Sequence, residues 1–161
     1  MSARLRMAAI VGVVAAAAAG TAVGATLLTG SDDARRTAPR PRSGHPPLVL
    51  ELGVRDDREA RLLRRAARLY ADGEHVSAQR LFVRSRSPEA EVGAALSAWP
   101  EGTIAELERL RASYPRSGAV HVNLGVALYW AGRDREAVAA WRAAERSDPD
   151  SPYAVRADDF L

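Results

Sequence analysis

The chain contains no cysteine and no lysine. Without cysteine it can form neither a disulfide framework, nor a thiol nucleophile, nor a cysteine-based metal site. It also lacks the Gly-x-Ser-x-Gly elbow of hydrolases, the phosphate-binding Gly-Lys-Ser/Thr loop and the His-Glu-x-x-His motif. The three histidines are isolated in sequence, and the Asp pairs at 32–33, 56–57 and 158–159 stand at segment edges, where helix caps and solvated ends explain them. We therefore predict a protein that is not an enzyme and that holds no cofactor and no metal.

Basic charge is concentrated at one end of the chain. The formal net charge is +3, and all 23 basic residues are arginines. Six of them lie before Ser43, whereas 17 arginines face 18 acidic residues from Ser43 onward. The carboxy-terminal part is nearly neutral, so the sequence predicts no nucleic-acid partner.

The amino-terminal segment predicts a membrane association. After a basic stub at 1–6, residues 7–29 contain no charge. As a helix, such a stretch would extend about 34 Å, enough for a bilayer core of roughly 30 Å. It is a transmembrane anchor or a secretory signal. Val23-Gly24-Ala25 resembles a cleavage site, but Leu27 and Leu28 prolong the apolar run, so we favour an uncleaved anchor over a signal or a buried soluble helix.

The orientation of this anchor is ambiguous from charge alone. Arginines 35, 36, 40 and 42 follow the segment and outnumber Arg4 and Arg6 before it, which favours a cytoplasmic carboxy-terminal side. Asp32 and Asp33 directly follow the segment, however, and amino-terminal signal-anchors of bacterial proteins usually export what comes after them. We predict a single-pass protein of the cell membrane with an extracytoplasmic domain.

Residues 30–54 predict a disordered linker and a lead-in to the domain. Four prolines and many polar residues between positions 31 and 47 favour an extended spacer. The basic Pro39-Arg40-Pro41-Arg42 run leaves a binding motif as the alternative. Residues 48–54, LVLELGV, are expected to be irregular or to pack as an extended lead-in on the first helix.

Residues 118–151 contain two apolar runs at helical spacing, separated by a turn. Gly132 suits the positive φ that ends the first helix. Asp134 is expected to cap the second helix, and Asp148-Pro149 to stop it. The small residues Gly125 and Ala137 would allow the two helices to approach closely, with Leu124 and Trp141 around them.

This stretch resembles the tetratricopeptide repeat, a 34-residue helix-turn-helix unit. The positions that carry the resemblance are Leu124, Gly125, Gly132, Ala137, Trp141, Ala144 and Pro149. The departures are His121 and Leu128, where the family usually has Trp and Tyr. His121 is expected to be a packing residue rather than a ligand. The alternative is a helical hairpin in another all-α domain.

Two weaker copies of the repeat precede it. The first, at about 57–86, places helices at 58–71 and 74–84 around a turn at Asp72-Gly73, with Asp56 or Asp57 as cap. The second, at about 87–117, places helices near 89–98 and at 103–113. Residues 152–161 are expected to form a trailing helix that caps the array. The fold predicted for 55–161 is therefore all-α, a short α-solenoid of about three repeats.

The resemblance implies a concave groove that binds a protein or peptide, with Asn123 at a position that often holds a peptide backbone. The groove residues that it implies are Leu63, Arg64, Ala67, Tyr70, Ala119, Val122, Asn123, Val126, Tyr129 and Trp130. The expected function is a non-catalytic, membrane-tethered scaffold. The alternative is a secreted or envelope assembly subunit that self-associates through its repeats.

Overall fold

Seven α-helices and no strand occur in residues 40–161, the part of the chain that the computed structural model describes. The all-α prediction is confirmed for this part. The predicted stub at 1–6, the anchor at 7–29 and the first part of the linker lie outside the described residues. The helices are α1 Arg58–Ala71, α2 His75–Phe82, α3 Pro88–Ser97, α4 Thr103–Ser113, α5 Gly118–Trp130, α6 Asp134–Ser147 and α7 Pro152–Asp158.

The predicted helix boundaries agree closely with these elements. Helices α1 and α4 have the expected bounds, and α3 begins and ends one residue earlier than expected. Helix α2 is shorter than its predicted 74–84, since Val83 ends it, and α7 ends at Asp158 instead of continuing to the chain end. None of the helices in residues 40–161 has the length and apolar character needed to cross a bilayer.

Glycine turns connect α1 to α2 and α5 to α6. Gly73 has φ +82° and Gly132 has φ +76°, a conformation that a side chain would strain. In both turns the N–H of the following residue donates to a carbonyl of the last helical turn, from Glu74 to Leu69 and from Arg133 to Leu128, each at 2.8 Å. The two predicted turns are confirmed.

The predicted caps have mixed outcomes. The Asp57 carboxylate accepts from the N–H of Ala60 at 2.9 Å and caps α1 as expected. The predicted cap at Asp134 is wrong, because Arg133 is the capping position and Asp134 is already the first helical residue. The chain enters the helix directly after the Gly132 turn, so the carboxylate lies one position too late to bond the first free N–H groups.

Helices that follow each other in the chain pack against each other. Helix α5 also contacts α3 and α7, and every residue from Gly118 to Leu128 is buried. The sequence of α5 contains no charged residue, and a helix that is apolar on all sides is stable only when neighbours cover it. Helix α5 is therefore the centre of the core.

Small residues allow the closest contacts between helices. The indole of Trp141 lies on Gly125, the ring of Phe82 lies on Gly93, and Tyr153 lies on Gly118. A β-carbon at any of these glycines would come within 2.7 Å or less of the aromatic side chain. The core accordingly depends on aromatic rings seated on glycine backbone, at more places than the sequence pattern indicated.

Candidate functional site

Residues 42–52, called here the lead-in segment, lie against the helices although they form no regular secondary structure. Leu48, Val49, Leu50 and Leu52 pack on the hydrophobic core, and Pro46 is buried. The sequence had predicted instead that residues 31–47 form an extended spacer with no buried residue. The segment is held because it covers apolar surface that would otherwise face water.

Asn123 holds the backbone of the segment at its centre. Its Oδ1 accepts from the N–H of Val49 at 2.9 Å, and its Nδ2 donates to the carbonyl of Val49 at 2.8 Å. Nδ2 also donates to the carbonyl of Ala119 one turn earlier in α5, at 2.8 Å, which orients the amide. The Asn123 side chain is fully buried and fully bonded. It therefore recognises an extended backbone without regard to the side chain that the residue carries.

Two buried tyrosines bond the segment on either side of this contact. The Tyr70 hydroxyl donates to the carbonyl of Pro46 at 2.6 Å, and the Tyr153 hydroxyl accepts from the N–H of Glu51 at 3.0 Å. Burial raises the pKa of Tyr70, and burial raises the pKa of Tyr153 to about 12. Both hydroxyls thus remain protonated and keep these hydrogen bonds across the physiological range.

Arginine contacts fasten the two ends of the segment. The N–H of Arg42 donates to the carbonyl of Trp130 at 2.7 Å, and its guanidinium carbon lies 3.2 Å from the centre of the Tyr129 ring. At the other end, Arg156 pairs with Glu51 at 3.1 Å. Cation–π contacts and ion pairs at half-exposed sites each contribute modestly, so the ends are held more weakly than the centre.

Two histidines stack beside the first part of the segment. The rings of His45 and His75 are 3.5 Å apart and nearly parallel, and Tyr70 meets His75 edge to face at 4.9 Å. Burial, and secondly the neighbouring His75, lower the pKa of His45. The neutral form of His45 is therefore the one that packs here.

The predicted groove residues lie on α1 and α5, and several meet at the lead-in segment. Asn123 and Tyr70 bond it directly, and Arg64 donates to the carbonyl of Gly53 at 3.2 Å just beyond it. Tyr129 and Trp130 contact Arg42. Ala67 lines a cleft with residues 45–48. The remaining members are buried in the core: Leu63, Ala119, Val122 and Val126.

Two residues of this site were predicted to have other roles. Arg42 falls in the predicted spacer, with a binding motif as the alternative, and Tyr153 falls in the predicted end cap. Residues 48–54, expected to be irregular or to pack as an extended lead-in, form no helix or strand, and most of them pack on the core. The one local signal in the sequence is the alternation of Leu48, Leu50 and Leu52, which is typical of an extended chain with one buried side.

His121, expected to pack, is buried, and its Nε2 lies 2.9 Å from the carbonyl of Pro115.

Acidic and histidine side chains do not converge into a metal site anywhere in residues 40–161. The chain matches no protein-family model, and comparisons with curated proteins and with solved structures gave no match either. The function of this protein is therefore inferred from the geometry of the site.

Proposed function

We propose that this protein is a non-catalytic scaffold of the tetratricopeptide type, tethered to the membrane by residues 7–29, that binds an extended segment of another protein across α1 and α5. The observation that carries the proposal is the paired contact between Asn123 and the two backbone groups of Val49. An amide that bonds both an N–H and a carbonyl of one residue is suited to any extended chain.

The lead-in segment acts in this proposal as a resident ligand. It occupies the same side chains that a partner would need, namely Tyr70, Asn123 and Tyr153. Because the segment belongs to the same chain, its effective concentration at the groove is high, on the order of millimolar or more. A partner segment must therefore exchange with it, and it would present the same features: an extended backbone, alternating apolar side chains and a preceding cation.

Exchange can be tested with a peptide of residues 42–54 added to the full chain. The Val49→Pro variant lacks the backbone N–H that donates to Asn123 Oδ1, but it keeps every side chain of the groove. We expect the labelled peptide to bind this variant at least tenfold more tightly than it binds the wild type, because the resident segment competes less well.

Two matched controls identify the site of binding. Asn123→Ala in the Val49→Pro background should weaken peptide binding about tenfold or more, since two backbone groups of the peptide lose their partner. Ser113→Ala, at an exposed position of α4, should leave it unchanged. The proposal fails if the Val49→Pro protein binds no peptide, or if it binds a peptide that itself carries proline at position 49 equally well.

A further inference from the structure

The first two helices and the last part of the chain carry net charges of opposite sign. Residues 58–86, which contain α1 and α2, hold eight arginines and three acidic residues. Residues 145–159, which contain the end of α6 and α7, hold five acidic residues and two arginines. These two regions together carry a net charge of +2, and the other residues from Ser43 onward, with seven arginines and ten acidic residues, bring the chain close to neutral.

The positive end is a continuous surface on α1. Four exposed arginines, called here the arginine face, recur every three or four residues on the side away from the core: Arg58, Arg61, Arg65 and Arg68. Three of them line an open cleft of about 660 Å³ with Leu62, Arg84, Ser85 and one acidic residue, Glu59, whose carboxylate is paired with Arg55 at 3.1 Å. In residues 40–161 no carboxylate lies within 4.0 Å of Arg58, Arg65 or Arg84, whereas Arg61 pairs with Asp56 at 3.5 Å.

The negative end combines carboxylates with exposed apolar side chains. Glu145, Val155 and Asp158 line a second cleft, of about 330 Å³, between α6 and α7. Val155 is 64% exposed and Leu161 is 50% exposed. Neither Glu145 nor Asp158 has an ion-pair partner among the described residues. These residues are called here the acidic face.

The two faces lie on different helices. Among the helices of residues 40–161, α1 contacts α2 and α3, whereas α7 contacts α5 and α6, so the faces lie on helices that do not touch. Their charges and their apolar residues, Leu62 on one and Val155 on the other, are complementary. A second copy of the chain can bring the acidic face to the arginine face.

We propose that copies of this chain associate head to tail, with the arginine face of one against the acidic face of the next. Lipid headgroups would also attract arginines, but they would leave the carboxylates and Val155 of the other end without a partner. Such a contact is heterologous, so it extends into open rows or closes into rings and does not form a two-fold symmetric dimer. Because it is small and depends on exposed charges, it is expected to be weak and sensitive to salt.

Charge reversal on each face gives a decisive test by sedimentation of the full chain in mild detergent at low salt. The wild type should gain mass with concentration, and high salt should reverse this. Arg58→Glu/Arg65→Glu and Glu145→Arg/Asp158→Arg should each stay monomeric, with association weakened at least tenfold. An equimolar mixture of the two variants should associate, because each supplies the partner that the other lost.

The mixture also excludes misfolding, since unfolded variants would not restore each other. Arg111→Glu/Arg116→Glu, with the same charge change on α4 and the following loop, should associate like the wild type. Asn123→Ala should also do so, which separates this contact from the proposed peptide groove. Two results would overturn the proposal. One is a wild-type mass that does not depend on protein concentration. The other is a wild type that stays monomeric and binds anionic vesicles, with the arginine variant alone losing that binding.

Discussion

The indole of Trp141 lies on the backbone of Gly125 and donates through Nε1 to the carbonyl of Val122 at 3.2 Å. A β-carbon at position 125 would come within 2.3 Å of that Nε1 atom. Since Trp141 is only 4% exposed, the ring has little room to move away. The contact joins α5 to α6 at the centre of the core.

Gly125→Ala should therefore lower the free energy of unfolding by about 1–3 kcal/mol, through overpacking. In a Trp141→Leu background the same change should be nearly neutral or stabilising, because alanine is favoured over glycine in a helix by about 1 kcal/mol. Chemical unfolding of the full chain, followed by circular dichroism, measures both. Equal losses in the two backgrounds would show that the ring is not what requires glycine.

Tyr70→Phe should release the first part of the lead-in segment. The change keeps the ring but leaves the buried Pro46 carbonyl without its donor, at a cost of about 1–2 kcal/mol. Tyr114→Phe is the matched control, because that hydroxyl lies at 3.5 Å from Glu91 on a half-buried side chain, and it should cost less than about 0.5 kcal/mol. Denaturant unfolding measures both variants. Similar costs for the two would contradict the assigned role of Tyr70.

Acidification should loosen the segment where His45 stacks on His75. The pKa of His45 is lowered from its ordinary value of 6.5 in the folded protein, so the proton binds better to the released segment. The stabilisation is complete above that value and is lost as the pH falls through the folded-state pKa. The titratable groups that face His45 are His75 and Tyr70, and no carboxylate from residues 40–161 lines their cleft.

Hydrogen-exchange protection of the Val49 amide, compared at about pH 7.5 and about pH 5, measures this release. The wild type should lose protection on acidification, after correction for the intrinsic exchange rate. His45→Gln should show a much flatter response, since it cannot be protonated. Unchanged protection in the wild type would refute the expectation.

The membrane prediction is testable on the full chain with a tag after Leu161. If residues 7–29 form an uncleaved anchor, the protein should stay with membranes in alkaline carbonate and its mass should include residues 1–25. If the domain is extracytoplasmic, protease added to intact spheroplasts should remove the tag. A mature mass that begins near Ala25 would indicate a cleaved signal, and a protected tag would place the domain in the cytoplasm.

The sequence predicted part of the candidate site. Asn123 was expected to hold a peptide backbone, and it contacts one, although that backbone belongs to Val49 of the same chain. Tyr70 and Arg64 also meet this segment. The binding of a partner at these residues stays a prediction. Tyr153 was missed, because it stands in no pattern that marks it as part of a site, and Arg42 was placed in a spacer with a binding motif only as the alternative.

Local sequence alone determined the helices, the turns at Gly73 and Gly132 and the cap at Asp57, because each depends on interactions between residues a few positions apart. Tertiary structure decided what covers α1 and α5. The contacts of Val49 with Asn123 and of Glu51 with Tyr153 join residues 74 and 102 positions apart. An irregular segment carries no period that reveals where it packs. Residues 42–52 are held by the apolar side of the assembled helices and by the Asn123 amide, which bonds both backbone groups of Val49.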